Sequence, residues 1–556
     1  MPATVAVGSC SPPITFEVRN GTAVTGVPAS TPVTLAATPA GTLGLFRGSG
    51  CSLAQPLTLA PDASFGSFSF FAGDGGTFSL ALSGPGLLAA SQQATTTWPA
   101  VASLAFTTAA QTVRAGDCSA AVTVELRDGT NAPAKANTAL ALALSALPAP
   151  GVLFHTDALC ASAAVSQVTV PFGASRATFY VARATGQPYT LTATLGALTA
   201  SRLHTILPVV RSGTCVVGDA DGGALCPVSP AVLSLADSFL VYQVESRSDV
   251  AGAAAVLCEL DGVSNISCRR GQTDLDAVIT WQVAEVKGST VRRVSTVCDG
   301  GLSIPLGSAA PPGSSFVLTA NENDGTTIND SDFNIARLND AGTAVDFSFG
   351  GPCTGPQSML AQVVTLPGIT VVRGTSSLPS GMTLRSFNDP PTPQAGVLFA
   401  QWGAPSGTAG ICDRAIRAEL NANSINFSRA NGSSTAFCTT LGVAPIQYEK
   451  VDFRTTASVQ QVNTTLGVGN LSTTLTLGAA VDRTRTLVFT GGQGSSGQGL
   501  GEGTHVGNSN SSDFIGEVAL SFSLPGTATQ ATQLAARRGS MLGASRWTVW
   551  VVELIP

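Results

Sequence analysis

Apolar and polar residues alternate over short stretches throughout this chain. From Ile14 to Val18 and again from Val122 to Leu126, every second side chain is apolar, and an Asn-Gly or Asp-Gly pair follows each stretch. Side chains on a strand point alternately to the two faces of a sheet, so the pattern predicts strands with one buried face, each ended by a turn. Almost no segment has the helical period of about 3.6 residues. The pattern therefore predicts an all-β protein.

The N-terminal part of the chain is a duplicated segment. The stretch Cys-Ser-Pro-Pro-Ile-Thr-Phe-Glu-Val-Arg-Asn-Gly from Cys10 recurs as Cys-Ser-Ala-Ala-Val-Thr-Val-Glu-Leu-Arg-Asp-Gly from Cys118. Further on, the Phe-Phe pair at 70–71 aligns with the Phe-Tyr pair at 179–180. Short strands with turns between them predict a β-sandwich for each copy.

A different repeat fills the rest of the chain in four copies. Their opening strands align on Arg211, Arg293, Arg373 and Gln461. A later strand ends in Arg in three copies, at Arg269, Arg429 and Arg537, while the second copy has Phe349 there. Each copy closes on a strand such as the one from Ile279 to Val286. Period-two alternation over copies of this size predicts a compact antiparallel sandwich for each.

Short motifs in both parts resemble known families. The Cys118 segment with its Val-x-Val-x-Leu-Arg-Asp-Gly strand, a later Phe and Cys, and a Thr-Phe-Tyr strand resembles the bacterial Ig-like repeats of large secreted and surface proteins. That resemblance covers residues 1–206 and implies modules that act as spacers or adhesive stalks. The Trp-Gln-Val-Ala-Glu strand at Trp281 and the Arg-Ser-Gly-Thr strand at Arg211 resemble the H-type lectin domain, a six-stranded sandwich that binds sugars and often trimerises. That second resemblance implies glycan binding, although the copies differ at Trp281, where the second has Ala361.

The predicted fold is a series of tandem antiparallel β-sandwich domains, two Ig-like and four of a second type. Their predicted bounds are 1–98, 99–206, 207–288 (repeat one), 289–368 (repeat two), 369–455 (repeat three) and 456–556 (repeat four).

Composition narrows the classes of partner. Charged residues make up 11% of the chain, against about 25% in soluble globular domains. The net charge is -6 without any run of Lys or Arg, so nucleic acid is not an expected partner. No apolar stretch approaches the roughly 18 residues of a membrane span. The chain opens without the basic and apolar regions of a secretory signal, so we expect that a signal was removed or that the chain is part of a longer protein.

Twelve cysteines, an even number in repeat-specific positions, predict disulfide bonds and an extracellular or cell-surface location. Two free buried thiols per domain are the alternative for the N-terminal pairs. Repeat one has four cysteines, which allow three connectivities. The simplest of these joins cysteines that are near each other in the sequence. The predicted pairs are Cys10 with Cys51, Cys118 with Cys160, Cys215 with Cys226, Cys258 with Cys268, Cys298 with Cys353, and Cys412 with Cys438.

Catalytic motifs are missing from the sequence. It has three histidines and no HExxH, GxSxG or P-loop motif. The alternative is a glycosidase whose two catalytic carboxylates come from distant parts of the sequence. Acidic residues recur at matching repeat positions, as at Glu285, Asp452 and Glu553, which favours binding or folding over one catalytic centre. We therefore expect that the protein is not an enzyme.

Two loops and one aromatic residue are candidates for ligand contact. The loop from Asn321 is rich in oxygen donors of the kind that Ca²⁺ prefers, with a solvated turn as the alternative; its candidate ligands are Asn323, Asp324, Asp330 and Asp332. No other cofactor is expected. The Gly-rich loop 491–513 is a candidate binding tip or a disordered segment. Its candidate residues are Gly494, Gln498, Glu502, His505, Asn508 and Asp513. The aromatic candidate is Trp402, whose indole suits the face of a sugar ring.

Together these observations predict a secreted or cell-surface adhesin or structural fibre component, with β-sandwiches in series as a protease-resistant rod. A carbohydrate-binding or receptor-binding protein is the alternative, and a polysaccharide-degrading enzyme is the third. The expected partner is a cell-surface protein or glycan, and a homo-oligomer or filament is also compatible with the sequence.

Overall fold

The all-β prediction is confirmed: in a computed structural model, 62% of the described residues lie in strands and 2% in helix. The structure describes every residue except 1–2, 41–42, 53–55, 149–150, 184–187, 249, 299–301, 324, 326–333, 350–357, 389–395, 404–414, 430–441, 454–455, 491–503, 506–519, 542–543 and 556. The chain forms two compact units, one of Met1–Ala184 with Pro188–Ile206, the other of Leu207–Pro556 with Thr185–Gln187.

The first unit contains nineteen strands among its described residues. They are Ala3–Ala6 (β1), Ile14–Glu17 (β2), Arg19–Asn20 (β3), Ala23–Val24 (β4), Thr31–Thr38 (β5), Leu43–Arg47 (β6), Leu57–Leu59 (β7), Phe65–Ala72 (β8), Gly76–Gly84 (β9), Leu87–Thr97 (β10), Ser103–Phe106 (β11), Thr112–Arg114 (β12), Val122–Arg127 (β13), Leu140–Leu147 (β14), Val152–His155 (β15), Gln167–Val170 (β16), Arg176–Arg183 (β17), Pro188–Leu195 (β18) and Leu198–Leu207 (β19).

These strands form two β-sandwiches. In the first, a sheet of order β1-β10-β9-β5-β7 faces a sheet of order β2-β8-β6, and in the second, β12-β19-β18-β14-β16 faces β11-β13-β17-β15. Ser11 Oγ accepts a hydrogen bond from the backbone N–H of Phe70 at 3.0 Å, and Ser119 Oγ accepts one from that of Val181 at 2.9 Å. Phe70 is therefore equivalent to Val181. The sequence alignment of 70–71 with 179–180 is shifted, and the true counterpart of Phe179 is Phe68.

The second unit holds the four repeats. Its strands are Val210–Val217 (β20), Gly223–Pro227 (β21), Ser238–Ser246 (β22), Leu257–Leu260 (β23), Asn265–Arg269 (β24), Ala277–Glu285 (β25), Thr290–Val297 (β26), Leu302–Pro305 (β27), Ser315–Glu322 (β28), Asn334–Leu338 (β29), Ala344–Phe349 (β30), Ser358–Thr365 (β31), Thr370–Leu378 (β32), Leu384–Asn388 (β33), Gly396–Trp402 (β34), Arg417–Leu420 (β35), Ser424–Ser428 (β36), Ala444–Asp452 (β37), Ala457–Leu466 (β38), Ser472–Asp482 (β39), Thr486–Thr490 (β40), Thr504–His505 (β41), Leu520–Ser523 (β42), Gln530–Arg538 (β43) and Ser545–Leu554 (β44). Its described residues also include a one-turn helix, Ala251–Ala254 (α1), and two 3-10 turns, Pro312–Ser314 and Arg483–Arg485.

Each repeat pairs an inner sheet with an outer sheet. The inner sheets are β20-β25-β22, β26-β31-β28, β32-β37-β34 and β38-β44-β40, with β41 added beside β44; the outer sheets are β21-β24-β23, β27-β30-β29, β33-β36-β35 and β39-β43-β42. In the inner sheets, β22 and β34 are buried along their whole length, on both faces. A lone sandwich leaves one face of each sheet in water, so the second face here must pack on another repeat.

In the inner sheets, side chains that face each other on the opening and central strands are complementary in size. Gly213 lies opposite Trp281, and a Cβ on this glycine would overlap the indole ring. Gly374 lies opposite Tyr448 in the same way, whereas in repeat two Ala361 lies opposite Val294. The large ring of repeats one and three thus faces a glycine, while the small alanine of repeat two faces a valine, which preserves the interior volume at this position.

Phenylalanines join the repeats at the centre of the second unit. Phe316 lies 6.2 Å from Phe239 in an edge-to-face contact and 5.3 Å from Phe399 in a stacked one. Phe399 in turn lies 5.1 Å from Phe489. Each repeat contributes one ring, and all four are buried. Such pairs add about 0.5 to 1.5 kcal/mol each beyond the burial of their area.

Disulfide bonds are present in both units, as the cysteine content predicts. Four of them join Cys10 to Cys51, Cys118 to Cys160, Cys215 to Cys226 and Cys258 to Cys268. Cys298 is also disulfide-bonded. The predicted partners Cys353, Cys412 and Cys438 lie outside the described residues.

Candidate binding groove at the contact between repeats four and one

One position of the central inner strand connects three of the four repeats to a neighbour. Gln362 accepts a hydrogen bond from the backbone N–H of Leu240 at 3.0 Å and donates to the carbonyl of the same residue at 2.8 Å. At the same register Gln282 accepts from Val488 N–H at 2.7 Å and donates to the Thr486 carbonyl at 2.9 Å. Repeat two is therefore bound to repeat one, and repeat one to repeat four.

Glu449 takes this position in repeat three. One carboxylate oxygen accepts from the backbone N–H of Val317 at 2.7 Å, and the other pairs with Arg373 at 2.7 Å. Burial raises the pKa of Glu449, and Arg373 opposes that rise. In repeat four Trp550 stands there instead, and its indole N–H donates to Gln461.

Repeats three and four contact each other through polar side chains of strands β35, β38 and β44. Arg417 donates to the hydroxyl of Thr548 at 2.9 Å, and Asn463 donates to Glu419 at 2.6 Å. With the contacts above, repeat one touches two, two touches three, three touches four, and four touches one. The four repeats thus form a closed cycle and not the linear series expected from the sequence.

The register also corrects the alignment of the opening strands. The residues opposite Gln362 and Glu449 are Arg293 and Arg373, and the residue opposite Gln282 is Ser212. Arg211 is one position off this alignment. It forms a buried ion pair of 2.9 Å with Glu285 inside repeat one.

A second ion pair recurs at the contacts between neighbouring repeats. Arg269 of repeat one pairs with Glu322 of repeat two at 2.8 Å and with Glu259 of its own repeat at 3.0 Å. At the equivalent register, Arg537 of repeat four meets Glu245 of repeat one at 3.6 Å. Within the described residues, the arginine of repeat four is therefore held by a single, longer ion pair.

A groove of about 250 Å³ opens beside Arg537. It is bounded by Glu245 and Arg247 of repeat one and by residues of β39 and β43 in repeat four. At its edge the two repeats approach so closely that a Cβ on Gly539 would overlap the Ser246 carbonyl. Only glycine fits there without a shift of the backbone.

Cations and hydroxyl groups give the groove its chemistry. The Arg537 side chain is 65% exposed, and Arg247 is exposed and forms no hydrogen bond or ion pair with another described residue. Ser472 and Thr474 lie on the same outer face of the sheet as Arg537. Glu245 is buried and accepts a hydrogen bond from Ser521 at 3.2 Å. The groove can therefore bind an anion through guanidinium groups and other polar groups through hydroxyls.

A smaller recess lies between repeats two and three. It holds about 20 Å³ and is lined by Arg337, Arg373, Gln401, Tyr448 and Glu449, among others. That volume accommodates about one water molecule, so we do not consider it a ligand site.

The structure places two of the candidate ligand-binding residues. Trp402 ends β34 with 1% exposure, so its ring has no free face for a sugar. His505 belongs to β41 and pairs with Ser545. The remaining candidates lie outside the described residues: Gly494, Gln498, Glu502, Asn508 and Asp513.

Of the four candidate metal ligands, the structure describes Asn323. Its side-chain oxygen accepts from Gly325 N–H at 2.7 Å, and the residue is fully buried against repeat one, next to Gly252. An oxygen committed in this way is not directed to an exposed cation. Asp324, Asp330 and Asp332 lie outside the described residues.

Within the described chain, one group of potential metal ligands lies close together: Cys215, Cys226 and Cys268 have sulfur atoms within 4.8 Å of one another. All three are in disulfide bonds. Their sulfurs are therefore not thiolates, which is the form that binds metal.

Three buried arginines are structurally equivalent, but the sequence alignment was wrong by one position in two of the repeats. Arg270, Arg429 and Arg538 are buried to 4% exposure or less and donate to loop carbonyls. The sequence alignment matches Arg269 and Arg537 with Arg429, but their structural counterpart in repeat three is Ser428. The Arg-Arg pairs at 269–270 and 537–538 were the available signal, because one member can face inward and the other outward.

Comparisons with known proteins add weak similarities. No protein-family model and no curated protein matches the chain. Among solved structures, invasin, titled a bacterial integrin-binding protein, is 12% identical over 67% of this chain and 74% of that chain, with a TM-score of 0.29. The Yersinia pseudotuberculosis adhesin InvE is 14% identical over 48% and 71%, with a TM-score of 0.23. Domains 4 and 5 of the S-layer protein SbsC are 15% identical over 31% and 70%, with a TM-score of 0.17. TM-scores this low carry no argument about function.

In the part of the chain that the structure describes, no helix has the length and apolar character needed to cross a bilayer.

Proposed function

We propose that this chain is a secreted or cell-surface binding protein of the adhesin type, without catalytic activity, in which the four C-terminal repeats act as one rigid binding head. The observation that carries the proposal is the closed cycle of repeats. Three of its four contacts use buried side chains, such as Gln362 at 2% exposure, and these contacts hold neighbouring repeats in fixed positions. A surface that is ordered before binding loses little entropy when a partner binds.

Disulfide bonds in both units support an extracellular location. Bonds of this kind persist in oxidising compartments and are rare in the cytosol. The bridges Cys10–Cys51 and Cys258–Cys268 lie in different units, so both units fit the same compartment.

The cycle favours a discrete head over a fibre subunit. In a linear array the last repeat has an unpaired face that can take another subunit. Here that face of repeat four binds repeat one through Gln282 and Gln243. The contact that would extend an array is already used within the chain.

Carbohydrate binding is the second candidate, and the groove beside Arg537 favours it. Its guanidinium and hydroxyl groups match the polar groups of a sugar. The likeness of the repeats to H-type lectin domains stays a prediction.

Attachment of the purified, fluorescently labelled full chain to cells tests the proposal. We expect saturable attachment and no growth in particle size with concentration by light scattering. Gly539→Val, which forces repeats four and one apart, should reduce attachment, while Gly129→Val, at an exposed glycine with open space around it and no positive φ, controls for the substitution itself.

Three other outcomes would overturn the proposal. Concentration-dependent filaments would favour a structural fibre, release of reducing ends from polysaccharides would favour an enzyme, and unsaturable attachment would indicate nonspecific adhesion.

A further inference from the structure

Two equivalent arginines of the second unit differ in how their charge is matched. Arg269 and Arg537 occupy the same register of their outer sheets, opposite Gly223 and Ser472. Each also meets a glutamate at the same register of the next repeat, Glu322 or Glu245. The two sites therefore share one geometry and can be compared group by group.

The second carboxylate is missing at Arg537. In repeat one, Glu259 lies two residues along β23 from the partner of Arg269 and pairs with that arginine at 3.0 Å. The same position of β42 in repeat four is Ser523. A serine hydroxyl carries no charge, so among the residues that the structure describes Arg537 pairs with Glu245 alone, at 3.6 Å.

A further cation stands at the same place. Arg247 follows β22 by one residue and lines the groove with Arg537. Arg538 also lines it but is buried and donates to the Gly467 and Asn470 carbonyls. Against these cations the described part of the lining offers one carboxylate, that of Glu245.

We propose that this groove binds the carboxylate of an acidic sugar residue, which takes the place that Glu259 occupies beside the equivalent arginine. The inference deepens the proposed function, since it names a ligand class for the binding head. Guanidinium groups recognise carboxylates through paired, charge-assisted hydrogen bonds. The ligand thus supplies to Arg537 the carboxylate that Glu259 supplies to Arg269.

The remaining lining favours a saccharide over an acidic peptide. Ser472 and Thr474 place hydroxyl groups along one wall, on the face that carries Arg537, and hydroxyls both donate to and accept from sugar hydroxyls. The volume of about 250 Å³ is below the roughly 300 to 1,000 Å³ of drug-sized sites. A single terminal or branching residue fits such a groove.

Calorimetric titration of the full chain tests the inference. The probes are 3′-sialyllactose and trigalacturonic acid, with their methyl esters as neutral controls and tetraglutamate and sodium sulfate as other anions. We expect one of the two acidic saccharides to bind and its ester to fail. Tight binding of tetraglutamate alone, or equal binding by sulfate, would overturn the saccharide assignment.

Three variants locate the site. Arg247→Gln and Arg537→Gln should each weaken binding about tenfold or more, because each removes a charge-assisted hydrogen bond. Arg47→Gln, at an exposed position of the first unit, makes the same change of charge and should bind as the parent does. Unchanged binding in both groove variants would overturn the inference.

Ser523→Glu is the sharpest variant because it leaves both arginines in place. It installs the carboxylate that repeat one carries at Glu259, so it should block the saccharide while the thermal unfolding of the protein stays the same or rises. Saccharide binding that survives Ser523→Glu would refute the site. Cell attachment that survives while no acidic saccharide binds would refute this inference and leave the proposed function standing.

Discussion

Glu449→Gln is expected to leave the stability of the second unit nearly unchanged at neutral pH, although it removes one member of a buried ion pair. Glutamine is the native residue at this position in two other repeats, as Gln282 and Gln362. It can still accept the hydrogen bond from Val317 N–H.

The magnitude follows from the partners of Arg373. Besides Glu449, this arginine donates to the carbonyls of Pro312 and Ser315. Arg293, opposite Gln362, donates to the equivalent carbonyls of Leu235 and Ser238 and has no carboxylate partner at that position. Repeat two therefore shows that the arginine is accommodated without the glutamate. Loss of the pair and relief of a buried charge should cancel to within about 1 kcal/mol.

Arg373→Ala should behave differently, since it leaves the Glu449 carboxylate buried and unpaired. Removal of one partner of a buried pair costs about 3 to 5 kcal/mol. The double variant with Glu449→Gln should recover much of that loss, because it no longer buries an unpaired charge. Calorimetric unfolding of the full chain measures all three.

The pH dependence provides a second test of the same pair. Burial raises the pKa of Glu449 above its ordinary value of 4.5. The folded state therefore holds its proton more tightly than the unfolded state does. This contribution to stability is fully present below pH 4.5 and is lost as the pH rises through the folded pKa. Glu449→Gln has no such loss, so its stability relative to the parent should improve as the pH rises.

Gln362→Glu is the matched control, since it introduces a carboxylate at the equivalent site. It should lose the hydrogen bond to the Leu240 carbonyl and destabilise by about 1 to 3 kcal/mol. The reasoning fails if Glu449→Gln costs as much as Arg373→Ala, or if its effect is independent of pH.

Three further predictions concern packing, cross-links and titration. Gly213→Val should cost about 1 to 3 kcal/mol by overpacking against Trp281, and adding Trp281→Ala should restore most of it; thermal unfolding that shows no rescue would contradict the size compensation. Replacing Cys10 and Cys51 together by Ser should lower the unfolding free energy by about 2 to 4 kcal/mol, and an unchanged urea midpoint for the first unit would speak against it. Burial raises the pKa of Tyr189 to about 12, so the rise in phenolate absorbance near that pH should shrink in Tyr189→Phe, and an unaltered titration curve would disprove the assignment.

Local patterns in the sequence were sufficient for the strands and the class of fold. Strands such as Leu140–Leu147 alternate between buried and exposed residues, because neighbouring side chains on a strand must point to opposite faces. Turn residues also act locally, so the duplication and the succession of strands were visible. One-residue shifts, as at Arg211 and Arg269, arose because a polar residue inside a strand does not reveal which face it occupies.

The candidate site was outside the reach of such patterns. Strand β22 carries Gln243 and Glu245 among apolar residues, and the sequence offers no reason to bury them. In the structure both are buried, since repeat four covers the face on which they lie. The partners of Gln243 are nearly three hundred residues away along the chain, as the hydrogen bond to Phe522 shows.

The sequence by itself thus determined that the chain is built of β-sandwiches in two families of repeat, with cysteines placed for cross-links, because alternation, turns and spacing depend on near neighbours. Only the tertiary structure decided that the four repeats close into a cycle, that Trp402 is buried, and that Arg247 and Arg537 share one groove. Those outcomes depend on how surfaces from distant repeats fit together, and shape complementarity between distant segments leaves no periodic signal along the chain.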